Sequence, residues 1–211
     1  MVRLSCRYTP EEERADAVVH MVGVGLAVAG ASWLFSRLLG RPFAEAAALG
    51  FYGVALVGTL GLSAAYNLAT GPIKDRLRCV DHAMIFVMIA ATYAPFVMLR
   101  LPDRIAMPMG VAVGGGCAAG ALIKLLFPRR FDRVSVTLYL GMGWAIAWAL
   151  GPSRDSIGAL PFTLLVVGGC LYTLGVPFCL MERLRFHNAL WHACVLAGAA
   201  AHFVTIAVEF G

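Results

Sequence analysis

A chain of 211 residues that is 60% hydrophobic and only 14% charged cannot clothe a globule in charge, since water-soluble domains carry about a quarter charged residues. These proportions exclude a soluble domain and leave room for six to eight membrane spans of roughly 20 apolar residues each. The net charge of +5 comes with no long basic run, so it excludes a nucleic-acid surface and is read through membrane topology instead.

The first 14 residues are polar and the apolar run after them is too long for the core of a signal peptide, so no cleavable leader is expected. Seven hydrophobic windows follow, at 15–36, 44–67, 82–99, 105–127, 134–150, 159–180 and 188–209. Short connections join them. In lipid every backbone polar group must be bonded within the protein, which helices do alone. The expected fold is therefore all-α, a seven-transmembrane helix bundle in which residues 1–211 form a single integral membrane domain. Gly114, Gly115 and Gly116 in the fourth window, with Gly168 and Gly169 in the sixth, predict close helix approach. Pro95, Pro108, Pro161 and Pro177 are tolerated kinks. The six cysteines are scattered without a C-x-x-C pair and read as small buried hydrophobes.

Basic residues orient the bundle. Seven spans place Arg3, Arg7, Arg14, Lys74, Arg76, Arg78, Lys124, Arg129, Arg130, Arg133, Arg183 and Arg185 on one side. The other side receives Arg37, Arg41, Arg100, Arg104 and Arg154. Twelve against five predicts a cytoplasmic N-terminus and an outside C-terminus.

That topology brings polar residues from four spans to one depth. Glu12, Asp16 and His20 start the first span, Ser63, Tyr66 and Asn67 end the second, Asp81 and His82 start the third, and His187, Asn188 and His192 start the seventh. Ionisable groups inside spans are costly and face a bundle interior or a wet cavity. Residues four apart on a helix share a face, about 40° apart around the axis. Glu12, Asp16 and His20 are such a set, as are Ser63 with Asn67 and Asn188 with His192. His187 diverges from His192 by about 140° and is a poor chelating partner; it is expected at the headgroup interface. His202, about 15 Å further along the helix, is expected to bond a neighbouring helix. Asp81 reads either as a site carboxylate or as a group capping the third helix or pairing with Arg78.

Three stretches together are specific. EERADAVVHMVGVGLAV opens the first span, SAAYNLATGPIKDRLRCVDHAMIFVMIAATYAPF joins the second to the third, and the seventh carries His192 and, ten residues on, His202. They resemble the haemolysin III family, the bacterial branch of the progestin and adipoQ receptor superfamily, over nearly the whole chain. The resemblance implies a multi-pass protein of the cell membrane, the inner membrane in a Gram-negative source. It also implies a zinc site near the cytoplasmic face, held by three histidines, one ending the second span and two in the seventh. A carboxylate at Asp81 and the hydroxyl of Ser63 would stand beside a zinc-bound water. Zinc with three protein ligands keeps a position for an acidic water. Related seven-span proteins hydrolyse ceramides, so an amide-bonded lipid is the implied substrate class.

The chain departs from that pattern at the metal. Asp16 replaces an Asn of the family's opening element. Asn67 stands where the first histidine is implied, and the His192–His202 interval places Asn188 at the second. Neutral amides are poor zinc ligands, so His192 is the one implied ligand left and tight zinc binding is not expected. The reading is a polar cavity lined by Asp16, His20, Ser63, Asn67, Asp81, Asn188 and His192, with membrane lipids as partners and a role in lipid homeostasis or sensing. Alternatives are a lipid amide hydrolase using Ser63 and Asp81 at an altered site, and a proton or ion pathway.

Overall fold

The computed structural model describes residues 8–127, 132–150 and 157–211; Arg3, Arg7, Arg129, Arg130 and Arg154, used in the orientation count, lie outside them. These residues form seven helices: α1 (Pro10–Ser36), α2 (Phe43–Leu68), α3 (Ile73–Leu99), α4 (Asp103–Leu126), α5 (Asp132–Leu150), α6 (Ala159–Leu180) and α7 (His187–Phe210). Six of them, α1–α4, α6 and α7, are long and apolar enough to cross a membrane; in α5 the described apolar stretch is Val134–Ala145. Every crossing helix exposes large apolar side chains, among them Leu26, Val54, Met98, Val111, Leu174 and Val208. In water so much exposed apolar surface would drive aggregation; in a bilayer it is solvated by acyl chains.

Two helices begin earlier than hydropathy predicts. α1 starts at Pro10 because Thr9 and Glu12 form a capping box: the Glu12 N–H donates to Thr9 Oγ1 at 3.3 Å and the Thr9 N–H donates to Glu12 Oε2 at 2.8 Å. Proline at the first helical position reinforces that start. α3 starts at Ile73, just after Gly71 at φ +71° and Pro72. Its first turns carry Lys74, Asp75, Arg76 and Arg78, too polar for a lipid-immersed window yet helical. Asp81 therefore lies two turns inside α3 and does not cap it, and Cys79 is helical, its Sγ–H donating to Asp75 O at 3.2 Å.

Consecutive helices pack on one another, α3 also meets α5, and α1 packs against α7. The chain thus closes on itself. The core holds Leu34, Leu49, Tyr52, Phe86, Phe96 and Ile206, each at most 1% exposed. Gly120 lets α4 lie on the Phe86 ring, where a Cβ would overlap the ring atoms; Gly168 likewise makes room on α6 for the His202 ring. The triplet in α4 behaves differently from expectation: Gly114 and Gly115 have nothing within 4 Å of a Cβ position, so they face outward, and Gly116 alone meets a neighbour, Met142 Cε at 3.2 Å.

The bundle has two distinct polar ends. At one, α3 and α7 are tied by Arg100, whose Nε donates to Glu209 Oε1 at 2.6 Å and whose Nη2 donates to Glu209 O at 2.9 Å; Arg41 Nη2 donates to Gly211 O at 3.0 Å. At the other, the start of α1, the end of α2 and the start of α7 come together.

Candidate functional site

α1 presents Glu12, Asp16 and His20 one turn apart, and α7 presents Asn188 and His192 one turn apart. Packing of α1 on α7 sets these two ladders face to face. Asp16 is their centre. His192 Nδ1 lies 2.6 Å from Asp16 Oδ1; a carboxylate only accepts, so the imidazole donates from Nδ1 and keeps Nε2 free for other chemistry. Asn188 Nδ2 donates to Asp16 Oδ2 at 3.0 Å. His20 Nε2 stands 3.5 Å from the same oxygen, and the His20 and His192 ring centroids are 4.3 Å apart. Asp16 and His20 are 8% and 5% exposed.

The second rank comes from α2. Asn67 Oδ1 faces Asn188 Nδ2 at 3.5 Å, and Asn67 Nδ2 donates to Ser63 O one turn back on its own helix at 2.9 Å. Ser63 shares with His20 and His192 the wall of a cavity of about 20 Å³, otherwise apolar, closed by Leu60 and Leu196. A water needs roughly 10–15 Å³ of such space, so the cavity has room for one water and none for a lipid chain. Glu12 works below the cluster: its carboxylate accepts the Phe186 N–H at 3.0 Å and thereby holds Phe186 in the left-handed conformation, φ 61°, from which α7 starts.

Six of the residues singled out from sequence thus meet: Asp16, His20, Ser63, Asn67, Asn188 and His192. Asp81 is buried, 8% exposed, but its carboxylate meets its own neighbour, His82 Nδ1, at 3.4 Å, and is not among the groups that close on Asp16. His82 in turn packs against Tyr66 and accepts the Tyr139 hydroxyl at its carbonyl, 3.0 Å away, forming a separate polar contact between α2, α3 and α5. His187, expected at the headgroup interface, is buried at 6% exposure, with its ring 5.6 Å from Tyr8. α7 is α-helical from His187 onward, and no wider turn rotates that ring toward Asp16. His202 bonds its neighbour as expected, Nε2 lying 3.2 Å from Leu165 O on α6. What the sequence reading missed is the direct pairing of Asp16 with His192. Its signal was present as two i, i+4 ladders of complementary chemistry, with Asn188 and His192 lying 172 and 176 residues beyond Asp16.

The implied three-histidine zinc set does not fit these residues. Two of its positions are the neutral amides of Asn67 and Asn188, and both are already hydrogen-bonded to the protein. A different group lies alongside: Asp16, His20 and His192 each offer one ligand atom, all within 4.8 Å of one another.

Comparison with known proteins places the chain in a family. A family model described as "Haemolysin-III related" matches residues 8–203. The chain is 33% identical over 202 residues to the "Hemolysin-3 homolog" of Bacillus subtilis (strain 168), covering 94% of each. It is 31% identical over 198 residues to "Hemolysin-3" of Bacillus cereus, covering 93% of this chain and 90% of that one. Identity to the "Monocyte to macrophage differentiation factor" of Homo sapiens is 28% over 210 residues, covering 95% and 86%.

Proposed function

The chain belongs to the haemolysin III family, and from that premise we propose that it serves membrane-lipid homeostasis by sensing lipid headgroups at the Asp16 end of the bundle. The observation that carries this reading is a cleft of about 400 Å³ at that end, lined by Tyr8, Glu12, Glu182, Arg183, Arg185 and His187. Its size is in the range of small-ligand sites, and its guanidinium groups suit a phosphate that takes the place of Glu11, to which Arg185 Nη2 donates at 2.9 Å. The inner cavity, at about 20 Å³, is far too small to receive a lipid. Glu12 lines the cleft, and its bond to the Phe186 N–H links the cleft to the start of α7, one residue before His187 and two before Asn188. The twelve-to-five bias of basic residues supports placing this end on the cytoplasmic side, where anionic lipids are enriched.

The test is lipid retention by the purified full-length protein, read by native mass spectrometry against an equimolar panel of phosphatidylglycerol, phosphatidylethanolamine and an amide-linked sphingolipid. Preferential retention of the anionic phospholipid, lost in Arg183→Ala/Arg185→Ala, is expected. Equal retention of all three classes would overturn the reading.

A second reading is favoured by the Asp16–His192 pair itself. A carboxylate that orients an imidazole, beside a cavity wall bearing Ser63, is an acid–base group. As an amide-lipid hydrolase the protein would use His192 Nε2 to take a proton from water or from Ser63, with Asp16 fixing the ring. The small cavity requires the helices to part before substrate enters. Turnover of a ceramide-like amide that disappears in His192→Ala supports this reading; no turnover across an amide-lipid panel removes it.

A further inference from the structure

We propose that Asp16, His20 and His192 form a site for a divalent transition-metal ion, moved onto α1 and α7 from the three positions that the family resemblance implies. The inference is independent of lipid sensing. The donors are one carboxylate oxygen and two imidazole nitrogens, with ligand atoms all within 4.8 Å of one another. Donors at about 2.1 Å from one ion lie roughly 3–3.5 Å apart; His192 Nδ1 stands 2.6 Å from Asp16 Oδ1 and His20 Nε2 stands 3.5 Å from Asp16 Oδ2, so the carboxylate turns one oxygen toward both rings, or offers both oxygens, to close on one ion.

Two further observations point to a cation. His20 Nε2 is buried and makes no hydrogen bond, although its ring is directed at the Asp16 carboxylate. A buried polar nitrogen left without a hydrogen bond is unfavourable, and an ion between it and Asp16 would engage it. The Asp16 carboxylate is itself buried in a membrane-crossing helix, and among the described residues no lysine or arginine pairs with it. Such a charge requires a positive partner. A divalent ion supplies it while leaving both imidazoles neutral.

The two asparagines then acquire a role. They are poor ligands, but Asn188 Nδ2 holds Asp16 Oδ2 at 3.0 Å, and Asn67 Oδ1 faces Asn188 from behind. Hydrogen bonds of this kind orient ligating carboxylates. The adjacent cavity, lined by Ser63, leaves space for one water on the ion. Two histidines and one carboxylate with an open position suit zinc or iron(II).

The experiment uses the purified full-length protein in detergent, stripped with chelator. Cobalt(II) is titrated in while visible absorption is followed, and zinc(II) is then added in competition. One equivalent of cobalt with ligand-field bands and no thiolate charge-transfer is expected, displaced by one equivalent of zinc. Asp16→Asn and His20→Gln, which remove direct ligands, are each expected to weaken binding by more than about 100-fold, and Asn67→Ala by about tenfold, the low end for an outer hydrogen-bonding partner. Should the variants fail to fold, wild-type protein alone decides: cobalt or zinc must raise its unfolding temperature with saturation at one equivalent. No saturable binding, or binding that persists in folded Asp16→Asn and His20→Gln, overturns the proposal.

Discussion

Removing the imidazole of His192 tests how α1 and α7 are held together. In the native bundle Asp16 accepts from His192 at 2.6 Å and from Asn188 at 3.0 Å, and the side chains of Asp16 and His192 are each only 12% exposed. His192→Ala leaves a buried carboxylate with the Asn188 amide as its remaining strong donor; breaking a buried pair from one side costs about 3–5 kcal/mol. Asp16→Asn keeps the shape but turns a charge-assisted hydrogen bond into a neutral one, a loss of roughly 1–2 kcal/mol. Once His192 is absent, Asp16→Asn removes an uncompensated charge and costs much less. The coupling expected from the double-mutant cycle is therefore about 1–2 kcal/mol, above the average of about 0.6 kcal/mol for hydrogen-bonded pairs between membrane helices. The assay is steric-trapping unfolding in bicelles on wild type, both single variants and the double. A coupling below about 0.5 kcal/mol would refute the claim that this pair is a principal tie between the two helices.

Three other outcomes follow from the same geometry. Gly120→Ala drives a methyl into the buried Phe86 ring and should cost about 1–3 kcal/mol, with Phe86→Leu restoring part of it in the same unfolding assay. Restoring the family pattern with Asp16→Asn, Asn67→His and Asn188→His should give a protein that keeps one equivalent of zinc through dialysis; metal analysis showing none would mean that more than these three positions separates this chain from the three-histidine site. Proteoliposomes should show no proton flux above empty vesicles in a pH-sensitive dye assay, because His202 is bonded to Leu165 O and Glu209 is locked by Arg100, which leaves the far half of the bundle without an ionisable relay among the described residues; flux abolished by His192→Ala would contradict this.

The helices were legible because lipid immersion demands long apolar runs, and six of the seven meet that demand on their own. Their ends were less so. Hydropathy reports where a helix leaves the acyl region, and α3 continues past that point through Lys74, Asp75, Arg76 and Arg78. Gly71-Pro72 marked its start, as Thr9-Pro10 with Glu12 marked that of α1, but both are capping signals that a hydropathy window does not weigh. The polar cluster was legible as a set, from four-residue spacings on α1, α2 and α7. Its internal wiring was not. Whether His192 meets Asp16 or Asp81 is decided by which helices touch, and only the packing of α1 on α7 selects Asp16. The outward position of Gly114 and Gly115 was illegible for the same reason, since small residues permit close approach without requiring it.

Closure of the bundle between its first and last helices also sets an order of assembly. Asn188 and His192 follow Asp16 by 172 and 176 residues. At about 5–20 residues per second, synthesis takes roughly 10–35 s to cover that interval. Throughout it α1 is in or at the membrane with a carboxylate whose α7 partners do not yet exist. An ionised carboxylate is costly in the acyl region, which favours a shallow position for the first helix until α7 arrives. Its final seating waits on α7, and a chain interrupted before that helix leaves the Asp16 carboxylate without the Asn188 and His192 donors.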